Sequence, residues 1–143
     1  MKMIKVLFVL TFLFSAVTLS AQSVVGKWKT FDDKTGDAKS IVEITEKDGK
    51  IYGKIIEILN PDKINDKCAN CPDDDKNKPL KGLTIIKGLK KDGKEYSGGK
   101  ILDPVSGKLY KCTISLDGKD KLKVRGYVGI SAFGRTQTWS KVE

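Results

Sequence analysis

The sequence predicts an all-β protein, an eight-stranded antiparallel up-and-down barrel with one long loop between strands 3 and 4. Three observations predict it. Apolar and polar residues alternate with a period of two along most of the chain, short Asp-Gly turn signals separate the alternating runs, and no run is long enough for a crossover helix. Closing eight strands into a barrel leaves no exposed edge strand.

Eight segments carry this pattern. The clearest is "GKLYKCTISL", in which every second residue from Tyr110 onward is apolar. The turn "DGKD" leads from it to "DKLKVRGYVG", where Leu122, Val124 and Val128 share a face opposite basic residues. The other segments, in chain order, are "VVGKWKTF", "SIVEIT", "KIYGKIIEIL", "LTIIKG", "EYSGGKIL" and "GRTQTWSKV".

Residues 1–21 are predicted to be an export signal outside the fold, and residues 22–143 to form a single domain. Lys2 and Lys5 precede the apolar run "VLFVLTFLF", which is too short for a membrane span, and small residues favour cleavage after Ala21. The residue directly after that position is Gln22 and not a cysteine, so we expect a periplasmic or secreted protein without a lipid anchor.

The domain is basic and almost all of its cations are lysines. The chain has 27 basic and 18 acidic residues, and since the predicted signal holds two lysines and no acid, the domain keeps a net charge of +7. Only Arg125 and Arg135 are arginines. Interspersed charges of this kind are typical of a solvated surface; contact with an anionic envelope surface is the alternative, and nucleic acid is not an expected partner.

The chain contains no histidine. This removes the usual general base and the commonest metal ligand, so the sequence predicts neither an enzyme nor a cofactor. The remaining catalytic hypothesis is a hydrolase with paired carboxylates chosen from Asp32, Asp33, Glu57 and Asp103. It requires two of them to converge in one cleft, which the sequence does not indicate.

The long connection from Asn60 to Pro79 carries Cys68 and Cys71. A zinc site needs four ligands, and only Cys112 remains to join this pair. In an oxidising compartment a disulfide is the simplest outcome, either between Cys68 and Cys71 or from one of them to Cys112.

The same connection resembles a calcium loop in part. Asp73, Asp75 and Asn77 occupy its first, third and fifth positions. The sixth position is Lys78 instead of glycine and the twelfth is Thr84 instead of glutamate, so no metal site is predicted.

The tryptophans are predicted to close the barrel. Lysines on both sides of Trp28 point its ring inward, and Gly26 leaves room beside it. In the last strand, Arg135 and Trp139 share a face. Because the first and last strands of a closed barrel are neighbours, Arg135 is expected across the face of Trp28, a contact worth about 2 kcal/mol when desolvated.

The segments "VGKWKTFDD", "PLKGLTIIKGL", "SGGKILDPVSGKLYKC" and "LKVRGYVGISAFGRTQTW" cover nearly the whole predicted domain. Together they resemble the bacterial secreted family catalogued as domain of unknown function 2147. The resemblance implies a small lipocalin-like β-barrel exported to the envelope, and it carries no activity with it.

We therefore expect a non-catalytic binding protein for a small apolar or amphipathic molecule, gated by the long loop. An eight-stranded barrel is near the size at which side chains either fill it or leave space for one small ligand. The alternative is a filled barrel that acts as an envelope structural or protein-interaction module through its lysines or the stretch "YVGISAF". The predicted ligand-binding residues are Val42, Ile44, Tyr110, Ile114, Leu122, Val124, Tyr127 and Phe133.

Overall fold

The structure is a computed structural model that describes residues 23–143. The predicted export signal therefore lies outside the described residues. Each of the eight predicted strands is present, and three short 3-10 turns lie in the connections. The strands are β1 (Gly26–Phe31), β2 (Ala38–Lys47), β3 (Lys50–Ile58), β4 (Thr84–Asp92), β5 (Glu95–Leu102), β6 (Leu109–Asp117), β7 (Lys121–Tyr127) and β8 (Gly134–Lys141).

The strands form a closed antiparallel barrel, which confirms the predicted fold class. Each strand pairs with the next along the chain, and β8 returns to pair with β1. The closing register places Trp28 opposite Lys141 and Lys29 opposite Ser140, and Val142 N donates to the Lys27 carbonyl at 3.0 Å. No helix in the described part of the chain is long and apolar enough to cross a membrane.

The two ends of the barrel differ. Because the strands alternate in direction, four connections lie at one end: β1–β2, β3–β4, β5–β6 and β7–β8. We call this the loop end. The opposite end, the turn end, carries three tight turns together with the residues that precede β1 and follow β8.

The barrel interior is filled by side chains. Val42, Ile44, Ile114 and Leu122 have no solvent-accessible surface, and Val124 is 2% exposed. A side chain that borders a void large enough for water keeps some accessible surface, so no such void adjoins the first four. The packing is close. Gly53 on β3 lies opposite Ile86, and a Cβ added to Gly53 would come within 2.7 Å of the Ile86 Cδ1 atom.

A second apolar layer lies outside the barrel. Ile86 pairs with Ile101, and the next residues along this register, Ile85 and Leu102, fall on the outer face. Both are nevertheless buried, as are Cys68 and Cys71 of the β3–β4 connection, and all four belong to the same apolar core. The connection therefore covers this part of the wall.

The predicted cation–π contact of Arg135 is wrong. The Arg135 side chain is 84% exposed, whereas Trp28 is buried. Trp28 lies opposite Lys141, and Arg135 is six residues earlier on β8, about 20 Å along the strand. The two residues share an inward-facing parity but lie near opposite ends of the barrel. Val128 was predicted on the inner face of β7, but it lies beyond the end of that strand and is exposed.

Candidate functional site

Three of the seven exposed large apolar side chains among the described residues, including the two most exposed, lie on the β7–β8 connection at the loop end. Val128 is 70% exposed, Ile130 62% and Phe133 80%. All three lie within six consecutive residues, and we call them the apolar tip. Exposed apolar side chains so close together in the chain make this connection a candidate contact surface, because exposed apolar patches mark interaction sites.

Two basic side chains hold this connection in place. Arg125 donates from Nε and Nη2 to the Ser131 carbonyl oxygen, at 2.9 and 2.7 Å, and from Nη1 to Thr136 Oγ1 at 2.7 Å. Lys111 Nζ donates to the Gly129 carbonyl at 3.3 Å. Charge-assisted bonds of this kind are stronger than neutral ones. The apolar tip is thus presented by an anchored segment.

A polar network adjoins the tip where β8 begins. Gln137 Nε2 donates to Asp33 Oδ2 at 3.0 Å, and Gln137 Oε1 accepts from Trp139 Nε1 at 3.1 Å. Arg135 Nη1 lies 3.9 Å from the same Asp33 oxygen. Arg135 therefore contacts the β1–β2 connection at the loop end, while Trp28 is held elsewhere, by a 2.9 Å bond from its Nε1 to the Val24 carbonyl.

The predicted ligand-binding residues divide into two groups. Tyr127 and Phe133 lie at the loop end, beside or within the apolar tip, and Tyr110 is half-buried. The other five are buried in the apolar core, and four of them have no accessible surface. These five are Val42, Ile44, Ile114, Leu122 and Val124.

Two of the candidate catalytic carboxylates cap hairpin turns. Asp32 Oδ1 accepts from the backbone N–H groups of Lys34 and Thr35, at 2.8 and 3.0 Å. Asp103 accepts from Val105 N at 3.0 Å and from the Ser106 hydroxyl at 2.9 Å. The bonds from Thr35 and Lys34 lower the pKa of Asp32, whereas a general acid needs a raised one. Asp32 and Asp103 therefore have the hydrogen-bond geometry of turn-stabilising residues.

The long β3–β4 connection is anchored to the outer wall. Cys68 and Cys71 form a disulfide, the first of the two pairings left open by the sequence, and Cys112 is a buried free thiol. Asn70 Nδ2 donates to the Val105 carbonyl at 3.1 Å, on the neighbouring β5–β6 hairpin. These contacts are with the wall and the hairpin, so they do not give the connection the predicted role of a gate.

Asp75 fixes the other half of the connection. Its carboxylate contacts Lys87 Nζ on β4 and lies 3.2 Å from Lys78 Nζ. The hydrogen bond from Lys87 is the main reason why the pKa of Asp75 lies below its usual value. The segment is thereby tied to the barrel by an ion pair as well as by apolar burial.

The family assignment follows from the sequence. Residues 26–141 match the family described as "Uncharacterized protein conserved in bacteria (DUF2147)". The chain belongs to this family. No curated protein shows significant similarity to it.

A solved structure supports the fold of this DUF2147 protein. It is described as "Protein HP1028 from the human pathogen Helicobacter pylori belongs to the lipocalin family". The two share 25% sequence identity with a TM-score of 0.75, over 86% of this chain and 85% of that one. This DUF2147 chain thus has a lipocalin-like fold, which is a fold of the binding type.

Sequence reasoning missed Arg125 as a site residue in this DUF2147 barrel. Period two placed it on the outer face, where a charged residue needs no further explanation. Its three hydrogen bonds depend on where the β7–β8 connection turns back, which is a tertiary property. A weak signal was present, since Arg125 is one of only two arginines in a chain with many lysines.

Proposed function

We propose that this protein is an exported, non-catalytic binding protein that takes an amphipathic molecule at its apolar tip rather than inside the barrel. The observation that carries the proposal is the exposure of Val128, Ile130 and Phe133 on a segment held by Arg125 and Lys111. Preorganised apolar groups at a loop end give affinity with little ordering cost on binding.

Because the barrel interior is filled, we place the binding site on the surface. Four of the eight predicted ligand-binding side chains have no accessible surface. A ligand between them would have to push apart a closely packed core, and the energetic cost of overpacking is about 1–3 kcal/mol even for small additions. The apolar tip offers contact area without that cost.

The chemistry around the tip suits an amphipathic ligand. Phe133 and its neighbours supply the apolar contacts, and the exposed Arg135 guanidinium provides a polar contact beside them. An apolar chain would cover the aromatic ring while its polar head remains in water or meets the guanidinium. The lipocalin-like fold supports a binding role of this class.

Amide NMR with dodecylphosphocholine, kept below its critical micelle concentration, tests the proposal. We expect the amide signals of residues 127–134 to shift and those of Val42 and Ile44 to stay unchanged. Phe133→Ser should weaken the affinity about tenfold or more, because burying a phenylalanine side chain is worth about 1.5–3 kcal/mol.

Val25→Ser is the control, because Val25 is an exposed valine that precedes β1 at the turn end. It should leave the affinity unchanged. Shifts confined to the interior residues, or an affinity insensitive to Phe133→Ser, would contradict binding at the tip. The first result would instead favour a ligand inside the barrel.

A further inference from the structure

A row of lysines crosses the outer wall of the barrel. Lys87 on β4 pairs directly with Lys100 on β5, and Lys100 pairs with Lys111 on β6. Tyr52 on β3 lies opposite Lys87, and Tyr127 on β7 lies opposite Lys111. These five residues, which we call the lysine row, occupy one register level on five consecutive strands.

The directly paired lysines of this row destabilise the folded state. Directly opposite residues of an antiparallel pair have Cβ atoms about 4.5–5.5 Å apart, and like charges at such positions are destabilising. Asp75 neutralises Lys87. Lys100 and Lys111 have no carboxylate within ion-pair distance among residues 23–143. Repulsion between neighbouring lysines that nothing inside the fold offsets is expected at a functional surface, where a bound partner supplies the missing negative charge.

The lysine row is continuous with the apolar tip. Tyr127 ends the row and directly precedes Val128. Lys111 belongs to the row, and its Nζ also donates to the Gly129 carbonyl within the β7–β8 connection. Cations, an aromatic hydroxyl and exposed apolar side chains therefore follow one another on a single surface at the loop end.

The geometry points to peripheral docking on an anionic lipid bilayer. The apolar tip enters the interfacial region, Tyr127 lies at head-group level, and Lys100 and Lys111 contact the lipid phosphates. This inference rests on the proposed function, since it uses the same apolar tip and names the amphipathic partner. A soluble acidic polymer would satisfy the lysines but would leave Val128 and Phe133 in water.

Vesicle co-sedimentation tests the inference. The protein is expressed from its full sequence, and all variants are compared with the same N-terminus, checked by mass spectrometry. We expect binding to vesicles of phosphatidylcholine and phosphatidylglycerol in equal parts, weaker binding to phosphatidylcholine alone, and loss of the difference at high salt.

Matched variants separate the two parts of the surface. Lys100→Gln with Lys111→Gln should lower partitioning onto the anionic vesicles about 25-fold, about fivefold for each lysine. Lys94→Gln with Lys119→Gln makes the same charge change at the turn end and should have little effect. Val128→Ser should weaken binding to both kinds of vesicle, and Val25→Ser should not.

Two outcomes would overturn the inference. In the first, binding is equal on both kinds of vesicle and insensitive to the Lys100 and Lys111 changes, while dodecylphosphocholine still binds at the tip; the proposed function then stands alone. In the second, dextran sulfate binds in a Lys100- and Lys111-dependent way and Val128→Ser changes nothing, which identifies a soluble acidic polymer. If dodecylphosphocholine binding ignores Phe133→Ser, the proposed function itself fails.

Discussion

Gly107 lies directly against Asn70, so that the β5–β6 hairpin holds the long β3–β4 connection at this point. A Cβ on Gly107 would overlap the Asn70 carbonyl group. The backbone of Gly107 has φ +74°, the left-handed region that glycine adopts without steric cost. Gly107 is therefore required for two reasons, the left-handed backbone of the turn and the lack of space for a side chain beside Asn70.

Gly107→Ala is expected to release the connection, and Gly36→Ala is its control. Gly36 has φ +75° and makes the equivalent turn bond, from its N–H to the Asp32 carbonyl, but no atom lies near an added Cβ. Both changes incur about 1 kcal/mol of backbone strain. Only Gly107→Ala adds the overlap, so its free energy of unfolding should fall by about 1–3 kcal/mol more in urea titrations.

Limited proteolysis provides a second measurement for Gly107→Ala. Cleavage within residues 60–82 should become faster than in the wild type, since loss of the Asn70 contact frees a loop that carries many lysines. Equal stability losses in the two alanine variants would show that the contact between Gly107 and Asn70 contributes nothing.

The two arginines should respond differently to alanine substitution. Arg125→Ala removes three hydrogen bonds to the β7–β8 connection and its neighbour, so amides 129–133 should exchange hydrogen faster and stability should fall by about 1 kcal/mol. Arg135→Ala removes only a 3.9 Å contact at an exposed site and should change stability by about 0.5 kcal/mol or less. Hydrogen exchange with mass spectrometry compares the two variants. Faster exchange in Arg135→Ala than in Arg125→Ala would reject this assignment of roles.

The strand pattern could be predicted because burial on one face of a sheet imposes a period of two on the sequence. Ile114, Leu122 and Val124 illustrate this, since each lies between two polar residues and each of their strands is present. The level of a residue along the barrel is not encoded in that period. Arg135 and Trp28 have matching parity, yet the register of β1 and β8 separates them by most of a strand.

Whether the barrel is filled or hollow could not be predicted either. Alternation shows that Ile44 and Ile114 point inward, but the volume left between them depends on all eight strands together. The outer apolar layer was hidden for a similar reason. Ile86 is buried inside the barrel, whereas the adjacent Ile85 points outward and is buried because the folded β3–β4 connection covers it.

Replacing Trp28 by phenylalanine should lower the free energy of unfolding more than replacing Trp139 by phenylalanine. Trp28 Nε1 is a buried donor to the Val24 carbonyl, and its loss leaves that carbonyl without this bond, at a cost of about 1–3 kcal/mol. Trp139 Nε1 donates to Gln137 Oε1, which is partly buried and within reach of water. Urea unfolding should therefore rank Trp28→Phe as the less stable variant; similar losses would show that ring packing, common to both, decides.

The thiol of Cys112 should be inert in the native protein. It is buried, and the other two cysteines of the chain form the Cys68–Cys71 disulfide. Since the thiolate is the reactive form, a thiol-specific reagent should find no accessible group in the native state. It should find one after denaturation without reductant and three after reduction. Any native reaction at Cys112 would contradict its burial.

Burial also makes Cys112 a source of alkaline sensitivity. It raises the thiol pKa to about 12, from 9.0 in an unperturbed cysteine. Between these values the unfolded chain loses the proton and the folded chain keeps it. The contribution to stability is therefore complete below pH 9 and is lost as the pH rises toward 12, by about 4 kcal/mol at most. The informative quantity is the difference in stability between the wild type and Cys112→Val, because it isolates the contribution of this thiol. The stability of the valine variant should fall less steeply above pH 9, and parallel curves would show that the thiol is not the source.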